Sequence, residues 1–228
     1  MGLDHFTRPT RRISRDAHLS NCHQRRSDVP NKVEADRASD QAARELVISH
    51  IFDAPRELVF EVFTDSKHLT KWWGPHGCTV ISCEADPTPG GTWSISMRSP
   101  SVLPQFGNRY PIKAFTSTAP SQQHRSGRGP AAGEQHLIVE RQRGVYQEVI
   151  RPERLVFTYA FEDDTGRPLH QTTVTISFTE DRGRTKVTLH QAIFETVLDR
   201  DDHVRGWSEA LEHLDAYLAR VPAAGSDR

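Results

Sequence analysis

The sequence predicts an α+β domain: a curved antiparallel sheet of six to seven strands wrapped around one long C-terminal helix, with two short helices after the first strand. Three observations carry this. A run rich in β-branched and aromatic residues at 47–52 leads at once into helical spacing. From 79 onward, short runs alternate between apolar and polar residues with period two, parted by turn signals. One long amphipathic stripe then ends the pattern near 220. A set of strands followed by a single terminal helix keeps helix and sheet apart, as α+β layouts do. Only that last helix is long enough to cover the apolar sheet face. One rod does not fill a trough, so a gap between the two is expected.

The first strand covers 47–52 (VISHIF). Asp53, Ala54 and Pro55 supply turn chemistry, and Pro55 suits the first helical position because its missing N–H has no partner to lose there. Leu58, Val59, Val62 and Phe63 recur at helical spacing, with Phe60 beside the stripe. Thr64 and Asp65 offer caps for a second short helix over 66–73. In HLTKWWGPHG (68–77), Gly74 supplies a left-handed stop and Pro75 forbids resumption. Adjacent helical residues point about 100° apart, so Trp72 and Trp73 cannot face one partner. Either both are scaffold, or one packs in the core while Trp73 lines the space under the long helix.

Strand-like runs follow at 79–85 and 92–97; in the second, Trp93, Ile95 and Met97 alternate with Thr92, Ser94 and Ser96. The segment at about 100–134 is rich in Gly, Pro, Ser and Gln and too long for a hairpin loop, so a flexible insertion is expected. Strands resume over 136–150. Leu155, Phe157, Tyr159 and Phe161 then share one bulky face, as do Val174, Ile176 and Phe178, and after them Val187 and Leu189. The last helix, 201–220, carries Val204, Trp207, Leu211, Leu214 and Leu218 as one stripe, with Gly206 allowing close backbone approach and His203 and His213 off the stripe. Residues 1–43 sustain no period and are expected as a disordered arm with a short helix near its end. The domain is placed at 44–220 and a disordered tail at 221–228.

Composition excludes several classes. The 228 residues carry 29 basic and 30 acidic side chains, a net charge of −1, which argues against an electrostatic grip on nucleic acid or anionic lipid. A hydrophobic fraction of 36% is low for a fully packed chain of this length. The cysteines are Cys22, Cys78 and Cys83, with no C-x-x-C pair. Cys78, Cys83 and His76 are weighed as metal ligands, but small apolar side chains near a strand are the plainer reading. No metal and no cofactor are expected. A sparse, odd set of cysteines suits a reducing cytoplasm. There is no apolar run of about eighteen residues to span a membrane. TRRIS (10–14) has the arginine pair of an export signal, but a polar stretch follows it.

The blocks FDAPRELVFEVFTDSKHLTKWWGP, PGGTWSISMRSP, GVYQEVIRPERLVFTYAFED, TTVTISFTE, TKVTLHQ and GWSEALEHLDAYL resemble, in order, those of the family named for activators of the heat-shock protein 90 ATPase. Its bacterial members are single-domain relatives of the co-chaperone's C-terminal domain. The resemblance covers about 45–99 and 143–219 and places the chain in the helix-grip (SRPBCC) superfamily, with START domains, the birch-pollen allergen and polyketide cyclases. The arm and the long insertion depart from the family pattern. The resemblance implies a cavity for an apolar or amphipathic small molecule beneath the long helix. Its walls would draw on Phe60, Phe63, Trp73, Trp93, Tyr146, Phe157, Tyr159, Trp207, Leu211 and Leu214.

Three functions stay open. The preferred one is a module that binds or senses a small hydrophobic or aromatic molecule, with a stress-related setting, as a monomer or homodimer. The second is a cyclase- or hydrolase-type enzyme in the same cavity. There Tyr146 and Glu148 share a strand face, and a buried carboxyl with a raised pKa serves as acid or base. The third is a contact with a chaperone that stimulates its ATPase. No G-x-S-x-G, H-E-x-x-H or phosphate loop is present, and His190 is expected on the wetter sheet face.

Overall fold

The computed structural model describes residues 32–100 and 137–221. The expected insertion, most of the N-terminal arm, Cys22 and the tail beyond 221 lie outside them. In chain order the elements are α1 (Lys32–Ala43), β1 (Leu46–Phe52), α2 (Arg56–Val62), α3 (Ser66–Trp72), β2 (Thr79–Ala85), β3 (Thr92–Pro100), β4 (Leu137–Ile150), β5 (Arg154–Phe161), β6 (Thr172–Asp181), β7 (Arg184–Ala192) and α4 (Val197–Leu218). α1 stands where the sequence suggested a short helix. Pro55 caps α2 instead of opening it, with an extended backbone. α4 starts a turn earlier than the stripe alone indicates, because Thr196 and Asp199 form a capping box.

One seven-stranded sheet runs in the order β1-β7-β6-β5-β4-β3-β2, and every neighbouring pair is antiparallel. From β2 to β7 the chain meanders. β1 and β2, consecutive in sequence, therefore lie at opposite edges of the sheet. The chain between them, α2 and α3, packs against β6, β7 and β2 and closes one end of the trough. α4 crosses the inner face: Trp207 Nε1 donates to Gln191 Oε1 of β7 at 2.7 Å, and His50 Nε2 of β1 meets Asp215 Oδ2 at 2.6 Å.

The apolar members of the period-two pattern all turn inward. Trp93, Ile95, Met97, Leu155, Phe157, Tyr159, Val174, Ile176, Phe178, Val187 and Leu189 are buried together with Leu211, Leu214 and Leu218 of α4. Leu58, Val59, Phe60, Val62 and Phe63 plug the end, and Phe60 and Phe63 both meet Phe178 edge-on, at 5.2 and 5.3 Å between ring centres. No helix among the described residues is long and apolar enough to cross a membrane. Architecture and layer order are those the sequence predicts.

Candidate functional site

The two tryptophans part at the end of α3. Trp72, still helical, is fully buried; it packs edge-on to Phe63 at 4.8 Å and donates Nε1 to the Val62 carbonyl at 3.0 Å. At Trp73 the backbone turns extended (φ −66°, ψ 132°), and Gly74 follows at φ +100°. That break swings the Trp73 indole toward α4. It stands 5.1 Å from the Trp207 ring at 76° and 5.7 Å from Trp93, and its Nε1 donates to Gln142 Oε1 at 2.8 Å.

Side chains close most of the trough, and a cavity of about 60 Å³, open on one side, remains beside Trp73. β4 contributes Glu140 and Gln142, β5 contributes Tyr159 and Phe161, and α4 contributes Asp202, His203, Gly206 and Trp207. Positions two apart on a strand and three to four apart on a helix share a face, so each element brings neighbours on its inner side. The space exists partly because residue 206 has no side chain: a Cβ there would meet nothing within 4 Å. The close backbone approach expected at Gly206 is therefore not what the structure contains; the glycine leaves room.

The wall is more polar than an aromatic cavity would be. Burial pushes the Glu140 carboxyl above its ordinary range, with the Ser99 hydroxyl as a partial offset. Burial also raises Asp202, opposed by Arg205, whose Nη2 lies 3.6 Å from Asp202 Oδ1, and reinforced by Asp199 and Asp201. His203 corrects a second expectation. Four residues before Trp207, it lies on the stripe, with its ring 5.6 Å from Tyr159, 5.8 Å from Phe161 and 4.7 Å from Phe194. Burial holds its pKa below the usual histidine value, although the Asp199 carbonyl and carboxylate oppose the shift. Its Nδ1 meets that carbonyl oxygen at 2.8 Å. A carbonyl only accepts, so Nδ1 carries the proton and the neutral ring keeps its Nε2 lone pair.

Of the ten residues expected to wall the cavity, Trp73, Tyr159 and Trp207 line it. Phe60, Phe63, Trp93, Tyr146, Phe157, Leu211 and Leu214 are buried in the core that fills the rest of the trough. Trp93 supports the wall from behind, with ring contacts to Trp73, Phe157 and Tyr159. The acid–base pair of the enzyme reading does not assemble. A β-bulge between Tyr146 and Glu148 sets Tyr146 opposite Phe157 but Glu148 opposite the adjoining Val156, which reverses the face. Tyr146 is buried, its phenol shifted well upward by desolvation. Glu148 instead pairs with Arg154 Nε at 2.7 Å in a half-exposed ion pair.

Glu140, Gln142, Asp202 and His203 escaped the sequence reading. Counting back by twos from inward-facing Tyr146 passes Gly144 and reaches Gln142 and Glu140, a signal that was available. Cys78 and Cys83 are half-buried free thiols, pushed up to about 12 and about 11 chiefly by desolvation. Among the described residues no group of three or more His, Cys, Asp and Glu could hold a metal ion. His190 meets Glu45 Oε2 at 2.9 Å, and His213 Nδ1 donates to the Gly74 carbonyl at 3.0 Å.

Solved structures with this architecture come from several bacteria. The AHSA1 protein of Silicibacter pomeroyi is 22% identical, with a TM-score of 0.56 over 77% of this chain and 97% of its own. A protein from Mycobacterium smegmatis is 21% identical, with a TM-score of 0.56 over 80% and 95%. One from Arthrobacter aurescens is 21% identical, with a TM-score of 0.56 over 82% and 92%. At such identities the likeness speaks for the fold. No curated protein matches the chain. The family model described as activator of Hsp90 ATPase homolog 1-like protein matches residues 53–110 and 132–219, most of the chain and both sides of the long interruption. The protein belongs to that family.

Proposed function

We propose that the protein binds or senses a small amphipathic molecule, its apolar part against Trp73, Trp207 and Tyr159 and its polar part toward Glu140, Gln142 and His203. Membership of the family supports a generic ligand-binding module, and the family's name adds a stress-related setting to the proposal. One observation carries the reading: two ionisable groups shifted by burial, Glu140 and His203, stand with two indoles around a space that a glycine leaves open. Desolvating a carboxyl is costly, and packing alone is better served by an apolar wall. Shifted groups gathered at a cavity favour a functional site. Pockets for drug-sized molecules run to roughly 300–1,000 Å³, so about 60 Å³ takes a small headgroup or a chain end, with the rest of the ligand at the open mouth.

Thermal unfolding of the full chain with a panel of small aromatic, amine and acyl compounds tests the proposal. At a hundredfold excess over Kd, a true ligand adds about 2.7 kcal/mol. For a domain of this size that raises Tm by about 5–10 °C. The Gly206→Leu variant should fold, because its new side chain grows into open space, and should lose the rise. A panel without effect on the wild-type protein, or an equal rise in the variant, would sink the cavity reading.

A further inference from the structure

We infer that the molecule taken by this cavity is a small organic cation, a protonated amine; the inference rests on the ligand-binding reading above and names its ligand class. Both indole donors are already spent, Trp73 Nε1 on Gln142 Oε1 at 2.8 Å and Trp207 Nε1 on Gln191 Oε1 at 2.7 Å. His203 has committed its Nδ1 proton to the Asp199 carbonyl at 2.8 Å and turns an acceptor nitrogen elsewhere. Glu140 and Asp202 add two carboxyl groups, while Gln142 and Tyr159 add neutral ones. Among the described residues no lysine or arginine lines the cavity. Arg205 is not among the lining residues and meets Asp202 Oδ1 at 3.6 Å.

An ammonium group has three donors and no acceptor, which suits the two carboxyl groups and the His203 acceptor; the donors in the wall, the Gln142 amide and the Tyr159 hydroxyl, are neutral. Its hydrogen bonds to a carboxylate are charge-assisted and stronger than those a neutral alcohol makes. The Trp73 and Trp207 rings, set at 76° to one another, form a corner of aromatic wall, and aromatic walls attract cations through the ring quadrupole. A carboxylate or phosphate entering the same space would meet two acids and, among the described lining residues, no lysine or arginine. The burial that pushes Glu140 upward is the penalty that an adjacent positive charge offsets.

Isothermal titration of the full chain with benzylammonium, benzyl alcohol and benzoate compares one shape in three charge states. Benzylammonium is expected to bind at least about tenfold more tightly than benzyl alcohol, with benzoate weakest. Glu140→Gln, whose Tm should be no lower than that of the wild type, should weaken benzylammonium by about tenfold or more and benzyl alcohol by far less. If the alcohol or benzoate matches the ammonium, or if Glu140→Gln leaves the ammonium unaffected, the cation class is overturned. The cavity reading then survives provided that Gly206→Leu abolishes whatever binding is seen. If none of the three binds, both fall.

Discussion

Gly144 lies opposite Trp93 in the β3–β4 ladder, and its missing side chain makes room for the indole. Trp93 Nε1 donates to the Thr158 carbonyl at 3.1 Å, passing directly over residue 144. A Cβ at 144 would collide with both that carbonyl oxygen and Nε1. The conflict cannot be relieved cheaply, because one of the two neighbours is backbone. Gly144→Ala therefore forces either β4 and β5 apart or Trp93 out of its bond. Overpacking and a lost hydrogen bond together are expected to cost about 2–4 kcal/mol. Urea unfolding measures this, and a cost below about 0.5 kcal/mol would mean that Trp93 is not held as described. The residue matters beyond stability, since Trp93 backs Trp73 and Tyr159, two members of the cavity wall.

At the level of the element, the start of α4 decides where the polar part of that wall stands. Asp199 N donates to Thr196 Oγ1 at 3.1 Å, and Thr196 N donates to Asp199 Oδ2 at 3.1 Å. The box satisfies two helix-end donors and holds the turn whose Asp199 carbonyl receives the His203 proton. Thr196→Ala is expected to cost about 1 kcal/mol. It should also speed amide hydrogen exchange in the first turn of α4 relative to its Leu211–Leu218 half. Uniform exchange along the helix would show that the cap does not anchor this end.

For the molecule as a whole, folding carries His203 of α4 into an aromatic setting built by β5 and Phe194, and this couples stability to pH. Its folded pKa lies below the ordinary 6.5, so the unfolded chain binds more protons once pH drops through that value. Stability then falls as pH is lowered from about 6.5 toward the folded pKa. Glu140 acts in the opposite direction: raised above 4.5, it withdraws stability as pH climbs from about 4.5 through its folded pKa. The two slopes separate by mutation. His203→Gln should flatten the acid-side decline of Tm between about pH 7.5 and 5.5, and Glu140→Gln should not. An unchanged acid-side slope in His203→Gln would place that histidine in a wetter setting than the structure does.

What the amino-acid order determined unaided is whatever repeats over a short window. Period-two alternation marked the strands, the Leu211–Leu214–Leu218 spacing marked α4, and Gly74 with Pro75 marked the stop after α3. These are properties of a few consecutive residues and their backbone geometry, so they survive without a partner. Family membership was legible for the same reason, as blocks of such elements in a set order. Tertiary structure alone decided which side chains fill the trough and which leave it open, because that depends on volumes arriving from β3, β4, β5 and α4 together. A bulge of one residue after Tyr146 sent Glu148 to Arg154 and undid a face assignment that strict alternation had required. Glu140 and His203 read as ordinary polar positions along the chain. Only the elements that fold over them remove their water, and with it their ordinary protonation behaviour.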